Sequence, residues 1–276
     1  MRDVAFGQYY PSKSFSHKLD PRTKILFLIL YIVCVFLSAD FYGLGACALA
    51  FVLVVCFSGI RISSLFRTMK GILFLLVFMS LLNLFFYQGE TETPLTKPIF
   101  GWEFTVITKE AVYHTCFLAV RLVLLVLGSS MLTLTTTPVA LADGLESLLT
   151  PLKWIKFPVH ELALIMSIAL RFIPILTDET GRIMNAQKAR GGDFESGNLF
   201  KRVKALLPVL IPLLISAFRR AEELGDAMDA RCYSGSKVRT KYKKLTFGWR
   251  DILAWLFGAV LLAGVIVLKI YPLAIF

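Results

Sequence analysis

The sequence is poor in charged residues and in histidine, and it carries no recognisable catalytic motif. Only 18% of its 276 residues are Asp, Glu, Lys or Arg, whereas a soluble domain carries about 25%. The three histidines form no H-E-x-x-H pair, and no nucleophile-elbow motif is present. No G-x-x-x-x-G-K-[ST] sequence occurs, which excludes ATP binding by a P-loop. We therefore expect no enzyme activity, no cofactor and no metal in this chain.

Cysteine is also scarce and unpaired in the sequence. The five cysteines are scattered, with no C-x-x-C pair: Cys34, Cys47, Cys56, Cys116 and Cys232. Four of them lie in apolar stretches, where a thiol behaves as a small apolar residue. We therefore expect neither disulfide bonds nor a zinc site.

Long apolar runs are what the sequence has in abundance. Hydrophobic residues make up 57% of the chain, and a helix needs ~20 residues to cross the hydrocarbon core of a bilayer. Five runs reach or approach that length, at 25–39, 41–60, 71–88, about 111–134 and 252–270. The sequence therefore predicts an all-α polytopic protein of the cell membrane with about five transmembrane helices.

The positive charge is concentrated in one part of the chain. The net charge is +11, and residues 135–250 hold 18 of the 30 Lys and Arg residues. Basic segments stay on the cytoplasmic side of a membrane, so five spans place the N-terminus and this region in the cytoplasm. We predict four spans in a membrane domain at 1–136, a cytoplasmic domain at 137–248 and a last transmembrane helix at 249–276.

This topology explains the basic charge without nucleic acid, the other common partner of a basic chain. We therefore expect no nucleic-acid binding. The basic residues between 237 and 244 precede the last span, and we expect them to set the topology and to contact anionic lipids.

Two Asp/Thr-Pro pairs mark predicted helix starts. Asp20-Pro21 precedes the first span and Thr137-Pro138 begins the cytoplasmic region; in each pair the polar residue caps the helix and proline occupies its first position. Apolar residues recur on one face of 138–149. This pattern predicts an amphipathic helix that lies along the membrane interface.

Two longer helices are predicted at about 159–190 and 199–231. Each is apolar in its first half and charged toward its end. Prolines inside them predict kinks; these are Pro174, Pro208 and Pro212. Arg219 and Arg220 precede Glu222 and Glu223, which predicts local ion pairs on an exposed turn.

One short motif occurs near the end of both long helices. Residues 186–190 and 227–231 read A-x-x-A-R, offset by 41 residues. Alanines three apart share a helix face and allow close approach, and arginine adds a planar charged fork that suits carboxylates. Two such helix ends predict docking to a partner with two similar sockets. The candidate residues are Ala189, Arg190 and Gly191 in the first copy and Ala230, Arg231 and Cys232 in the second, with Ala186 and Ala227 on the small-residue faces.

Several stretches together resemble the transmembrane T component of energy-coupling factor transporters, the vitamin- and cobalt-importing branch of the ABC superfamily. They follow one another in the family's order along nearly the whole chain. The paired Ala-Arg-Gly-type motifs are the most specific of them, and the second copy departs from the triplet because Cys232 stands where the first has Gly191. The other stretches are Gly7-Gln8-Tyr9-Tyr10-Pro11, Leu19-Asp20-Pro21-Arg22-Thr23-Lys24, Leu170-Arg171-Phe172-Ile173-Pro174 and Arg220-Ala221-Glu222-Glu223-Leu224.

The resemblance implies a four-part complex. In this family the T component bridges two ABC-type ATPase subunits to a substrate-binding membrane subunit. Its two motif-bearing helices cross and insert their ends into grooves of the two ATPases, where Arg190 and Arg231 are expected to pair with acidic groups. The predicted cytoplasmic domain is then a coupling domain, and the two unequal motifs suggest two non-identical ATPases.

Two alternatives from other classes remain at this point. A stand-alone permease or channel binds its own solute, with Arg121 and His114 of the fourth span lining the path, because charges inside a membrane are functional candidates. A membrane-bound enzyme acting on lipids is disfavoured by the missing catalytic cluster.

Overall fold

The computed structural model describes residues 14–86, 109–155, 157–194, 198–233 and 246–271, and their regular structure is helical. This confirms the predicted all-α polytopic membrane protein. Short 3₁₀ turns at Ser16–Lys18 and Thr150–Ile155 accompany the α-helices. The α-helices are α1 (Pro21–Leu37), α2 (Phe41–Ser58), α3 (Ile62–Phe86), α4 (Lys109–Thr135), α5 (Pro138–Leu149), α6 (Val159–Ala189), α7 (Leu199–Ala230) and α8 (Trp249–Ile270).

Four of the described helices are long and apolar enough to cross a membrane: α2, α4, α6 and α8. Three of them coincide with predicted spans. Of the other two predicted spans, α1 has 17 residues, about 25 Å of helix, and α3 contains a shorter apolar stretch at Met69–Leu84. Helix α6 was assigned to the cytoplasmic region from the sequence, and its apolar first half gives it the composition of a span as well.

The chain divides into two compact units. The first contains Met1–Pro151 and Leu245–Phe276, and the second contains Leu152–Lys244. In the first unit α1 is the central helix, because it packs against α2, α4, α5 and α8. The buried core of this unit includes Tyr31, Cys34, Val35, Leu44, Cys47, Leu124, Leu261 and Val265.

Glycines allow two helices, α4 and α5, to approach α1 closely. A Cβ added at Gly128 of α4 would lie 2.6 Å from the Tyr31 ring, and one at Gly144 of α5 would lie 3.0 Å from Pro21. At Gly258 of α8 an added Cβ would make ordinary contact with Phe27 at 3.5 Å. Small residues at helix contacts are how membrane helices gain packing energy, since lipid supplies no hydrophobic force between them.

A group of buried polar contacts joins the ends of three helices in this unit. The Asp20 side chain caps α1 by accepting from the Arg22 N–H at 2.9 Å, as predicted. The Asp20 N–H donates to Asp251 of α8 at 3.0 Å, and the second Asp251 oxygen accepts from the Gly248 N–H at 2.8 Å. Lys24 Nζ donates to the carbonyl of Thr135, the last residue of α4, at 2.9 Å.

Arg121 of α4 has a structural role. Its guanidinium donates to the Ser38 carbonyl at 2.6 Å and lies 4.5 Å from the centre of the Phe117 ring. Ser38 is the C-cap of α1, where carbonyl groups lack intrahelical donors and the helix dipole favours a cation. Arg121 therefore completes the end of α1.

The contact at Gly128 gives a test of this packing. Gly128→Ala forces the Tyr31 ring to move, and overpacking of this kind costs about 1–3 kcal/mol. We expect the apparent Tm of the purified protein in detergent to fall. Gly45→Ala is the matched control, because a Cβ at Gly45 of α2 meets nothing within 4 Å and alanine favours helix. Equal Tm values for the two variants would contradict the close contact.

Candidate functional site

The second unit is built on the two long helices α6 and α7, as predicted. They have 31 and 32 residues, which corresponds to about 45–48 Å each. Glu179 of α6 contacts Ser216 and Arg220 of α7, while Gln187, further along α6, contacts the earlier residue Pro208. Because the partner number falls as the α6 number rises, the two helices run antiparallel over this region.

One contact between these helices is an ion pair that the sequence did not predict. Arg220 donates to one Glu179 carboxylate oxygen through Nη2 at 2.8 Å and Nε at 3.2 Å, and Ser216 donates to the other. The local pairing expected between Arg220 and its neighbouring glutamates is therefore wrong. Both charged side chains are partly exposed, so the pair adds little stability, but its geometry fixes the register of the helices.

The contact between Gln187 and the Pro208 carbonyl is a consequence of proline chemistry. Pro212 has no N–H, so the carbonyl of Pro208, four residues earlier, receives no helical hydrogen bond. The side-chain amide of Gln187 donates to this carbonyl at 3.4 Å. Gln187 is the second residue of the first A-x-x-A-R motif, so the motif itself contacts α7.

Both motifs end their helices with the same main-chain geometry. The Gly191 N–H donates to Lys188 at 3.0 Å and the Gly192 N–H to Gln187 at 2.9 Å. At the other end the Cys232 N–H donates to Asp229 at 2.9 Å and the Tyr233 N–H to Met228 at 3.0 Å. These paired bonds define a Schellman motif, and they make Arg190 and Arg231 the C-caps of α6 and α7.

The Schellman motif explains the third position of each triplet. The residue after the C-cap needs a left-handed backbone, and φ is +85° at Gly191 and +58° at Cys232. Cys232 is the one non-glycine residue with positive φ in the described part of the chain. Cysteine therefore takes the conformation that glycine takes in the first copy, at a steric cost of about 1–2 kcal/mol.

All eight sequence-predicted site residues are exposed on the second unit. These are Ala186, Ala189, Arg190 and Gly191 at the end of α6 and Ala227, Ala230, Arg231 and Cys232 at the end of α7. The structure does not bring the two groups together. Since Gln187 lies beside Pro208, Arg190 lies near the level of residue 205, and Arg231 is roughly 40 Å further along α7.

Apolar side chains are exposed along both long helices. Apolar side chains recur every three or four residues along α7, which places them on one face, and α6 exposes Leu162, Ile165 and Met166. Exposed apolar side chains that share one helix face mark protein or membrane contacts. The α7 residues are Val203, Leu207, Leu210, Ile211, Leu214 and Phe218.

The contacts that three residues make between α6 and α7 were not predicted from the sequence: those of Glu179, Gln187 and Ser216. The signal for Gln187 was available, because Pro212 leaves a carbonyl that needs a donor. Glu179 and Ser216 lie 37 positions apart, and no local pattern links them. No group of three or more His, Cys, Asp or Glu residues able to hold a metal ion occurs within the described ranges.

Comparisons with known proteins agree with this architecture. A family model described as cobalt transport protein (CbiQ) matches residues 12–242. The energy-coupling factor transporter transmembrane protein EcfT of Ruminiclostridium cellulolyticum is 45% identical over 269 residues, covering 98% of each chain. The EcfT protein of Bacillus subtilis is 44% identical over 251 residues, which cover 91% of this chain and 92% of the relative.

These matches define a multi-pass membrane component of a transport system. The chain belongs to the CbiQ/EcfT family, the transmembrane components of energy-coupling factor transporters. The resemblance stated from the sequence motifs is confirmed.

The two helix ends provide a test of the Schellman assignment. Gly191→Ala places a Cβ in the left-handed region and should weaken the last turn of α6, whereas Cys232→Gly should relieve strain at the end of α7. With about 1 kcal/mol at each site, we expect roughly fivefold faster amide exchange at residues 191–192 and roughly fivefold slower exchange at 232–233.

Gly225→Ala in α7 is the control, because its Cβ meets nothing within 4 Å and its φ is not positive. This variant should leave exchange at both helix ends unchanged. Unchanged exchange in Gly191→Ala and Cys232→Gly would be inconsistent with left-handed backbone at residues 191 and 232.

Proposed function

We propose that this protein couples two ABC-type ATPase subunits to a substrate-binding membrane subunit, for ATP-driven uptake of a vitamin or metal ion. The observation that carries the proposal is the pair of equivalent exposed helix ends, each with an arginine at its C-cap, roughly 40 Å apart along one helix pair. Two separated helix ends with the same main-chain geometry fit two similar grooves, one on each ATPase subunit. The chain itself transmits motion, and the partner subunits hydrolyse ATP.

The arginines are proposed to pair with carboxylates in grooves of the ATPases. A guanidinium presents donors in a rigid fork that matches a carboxylate, and both helix ends are exposed enough to enter a groove. The alanines one turn earlier leave room for the wall of the groove to approach the helix. By the positive-inside rule, the basic region that contains these ends faces the cytoplasm, where ATP is available.

The contacts between α6 and α7 are proposed to carry the motion. Glu179 with Arg220, and Gln187 with the Pro208 carbonyl, hold the helices together at two separate levels. A displacement of one end by closure of the ATPases then moves both helices. The exposed apolar face of α7 and the amphipathic helix α5 are the candidate contacts for the substrate-binding subunit.

The permease alternative has less support. It requires Arg121 to line a solute path, and this side chain is engaged by the Ser38 carbonyl and the Phe117 ring. Among the proposed partners, anionic lipids remain a prediction from the basic run between 237 and 244, which lies outside the described residues.

Charge reversal at the helix ends tests the docking. Removing one partner of a buried charge pair costs about 2–5 kcal/mol, so Arg190→Glu with Arg231→Glu should abolish co-purification of the ATPases and substrate uptake by cells. Arg219→Glu, an exposed arginine of α7 away from both ends, should leave both measurements near wild type. Wild-type uptake in the double variant would refute the docking role.

A second variant separates docking from the transmission of motion. Glu179→Gln removes the charge that Arg220 binds while keeping the size of the side chain. We expect the ATPases to co-purify as in wild type while uptake per ATP hydrolysed in proteoliposomes falls severalfold, because the charged contact between the two helices is weakened. Unchanged coupling would show that the ion pair does not carry the motion; Glu222→Gln, an exposed position on α7, is the control.

A further inference from the structure

The two long helices meet at equivalent residues. The copies of the A-x-x-A-R motif are offset by 41 residues, and the same offset separates Glu179 from Arg220, which form the ion pair between α6 and α7. Contacts between equivalent residues lie on the axis of a two-fold arrangement. Arg190 and Arg231 follow this pair at the same spacing of 11 residues, so the helix pair is approximately symmetric about it.

The charges on the two helices are opposite at equivalent positions. Wherever both 178–189 and 219–230 carry a charge, a basic residue of one helix corresponds to an acidic residue of the other. This inversion makes the contact between Glu179 and Arg220 attractive, because two residues of like charge at the axis would repel each other. The four pairs are Asp178 and Arg219, Glu179 and Arg220, Arg182 and Glu223, and Lys188 and Asp229.

The two helix ends therefore differ in charge. Residues 182–190 contain three basic and no acidic side chains, whereas the equivalent residues 223–231 contain three acidic side chains and one basic. The formal charges of the two segments are thus +3 and −2. All these charged side chains are exposed, so a partner that covers either end meets them. They are Arg182, Lys188 and Arg190 in the first segment and Glu223, Asp226, Asp229 and Arg231 in the second.

The start of α7 adds positive charge to the first end. Gln187 contacts Pro208 and the helices are antiparallel, so the two turns of α7 before Pro208 lie near the end of α6. Three exposed basic side chains belong to these turns: Lys201, Arg202 and Lys204. The basic character of the end that carries Arg190 thus comes from both helices.

We propose that the two ends select their ATPase subunits by charge, an inference that rests on the docking role proposed above. The end that carries Arg190 binds an ATPase whose groove is lined by acidic residues. The end that carries Arg231 binds a different ATPase. The groove of this second subunit presents basic residues to Glu223 and Asp229, beside the carboxylate that pairs with the arginine.

This difference in charge fixes the order of the two ATPases on the chain. Like charges brought together at an interface are unfavourable, and such repulsion excludes wrong partners. The two grooves are similar in shape, since both accept a helix end with a Schellman motif, and they differ in charge. Two copies of one ATPase cannot complement both ends.

Binding measurements with each ATPase subunit, purified separately, test this selection on the 276-residue chain in nanodiscs. Lys188→Asp and Asp229→Lys each give one motif the charge of the other. We expect Lys188→Asp to weaken the binding of one ATPase about tenfold and to leave the other unchanged, as measured by biolayer interferometry. Asp229→Lys should do the reverse, because each substitution places like charges against one groove.

The control inverts an equivalent pair of charges near the axis instead of at the ends. Asp178→Arg combined with Arg219→Asp changes two exposed side chains that lie 12 residues before the motif arginines, about 18 Å along the helix. This distance exceeds the screening length of about 8 Å at physiological salt. The affinity for both ATPases should therefore match wild type.

A second measurement leaves the charges of the chain unchanged. A photocrosslinking amino acid at Ala186 or at Ala227 in the assembled transporter captures peptides of the two grooves, which mass spectrometry identifies. The peptides captured from Ala186 should be rich in Asp and Glu. Those captured from Ala227 should come from the other ATPase and contain Lys or Arg.

Three results would overturn the selection by charge: equal effects of Lys188→Asp and Asp229→Lys on both ATPases, no effect of either, or capture of the same groove sequence from Ala186 and Ala227. Binding of neither ATPase to the wild-type chain would refute the docking role itself, and the selection with it. The two failures are therefore distinguishable.

Discussion

Every main-chain polar group of a membrane protein needs a hydrogen-bond partner, because the surrounding lipid offers none. This constraint explains the polar contacts at the two ends of α1 in the first unit. At the end of α1 the Ser38 carbonyl accepts from Arg121 of α4, and at its start the Asp20 N–H donates to Asp251 of α8. In α7 the carbonyl left free by Pro212 accepts from Gln187 of α6. Groups that one helix leaves unsatisfied thus determine which helix packs beside it.

The last carbonyls of any helix lack intrahelical donors, and this shapes the two ends that carry the proposed function. A Schellman motif satisfies the last carbonyls of α6 and α7 and leaves Arg190 and Arg231 exposed at the C-caps. The antiparallel pairing of the helices then separates the two arginines by roughly 40 Å. One local geometry, repeated on two paired helices, therefore presents two separated arginine-bearing ends, which suits the proposed link between two ATPases.

Local signals were sufficient to predict much of the fold and of the site. The Asp20-Pro21 and Thr137-Pro138 helix starts are confirmed by side-chain caps, and the two long helices end at the predicted arginines. The partner of Arg220 was predicted wrongly, because its sequence neighbours are glutamates while Glu179 is brought near only by the antiparallel register. The left-handed backbone of Cys232 could not be predicted from its place in the second motif, because cysteine rarely adopts that backbone angle.

The central claim is that the two helix ends contact two different ATPase subunits at the same time. The most direct measurement places a photocrosslinking amino acid at Ala189 and at Ala230, separately and together, in the assembled transporter. The account predicts that each position crosslinks to an ATPase, that the crosslinked peptides come from separate subunits, and that the doubly substituted chain carries two ATPases covalently. Crosslinks from both positions to one ATPase molecule, or from only one position, would contradict it.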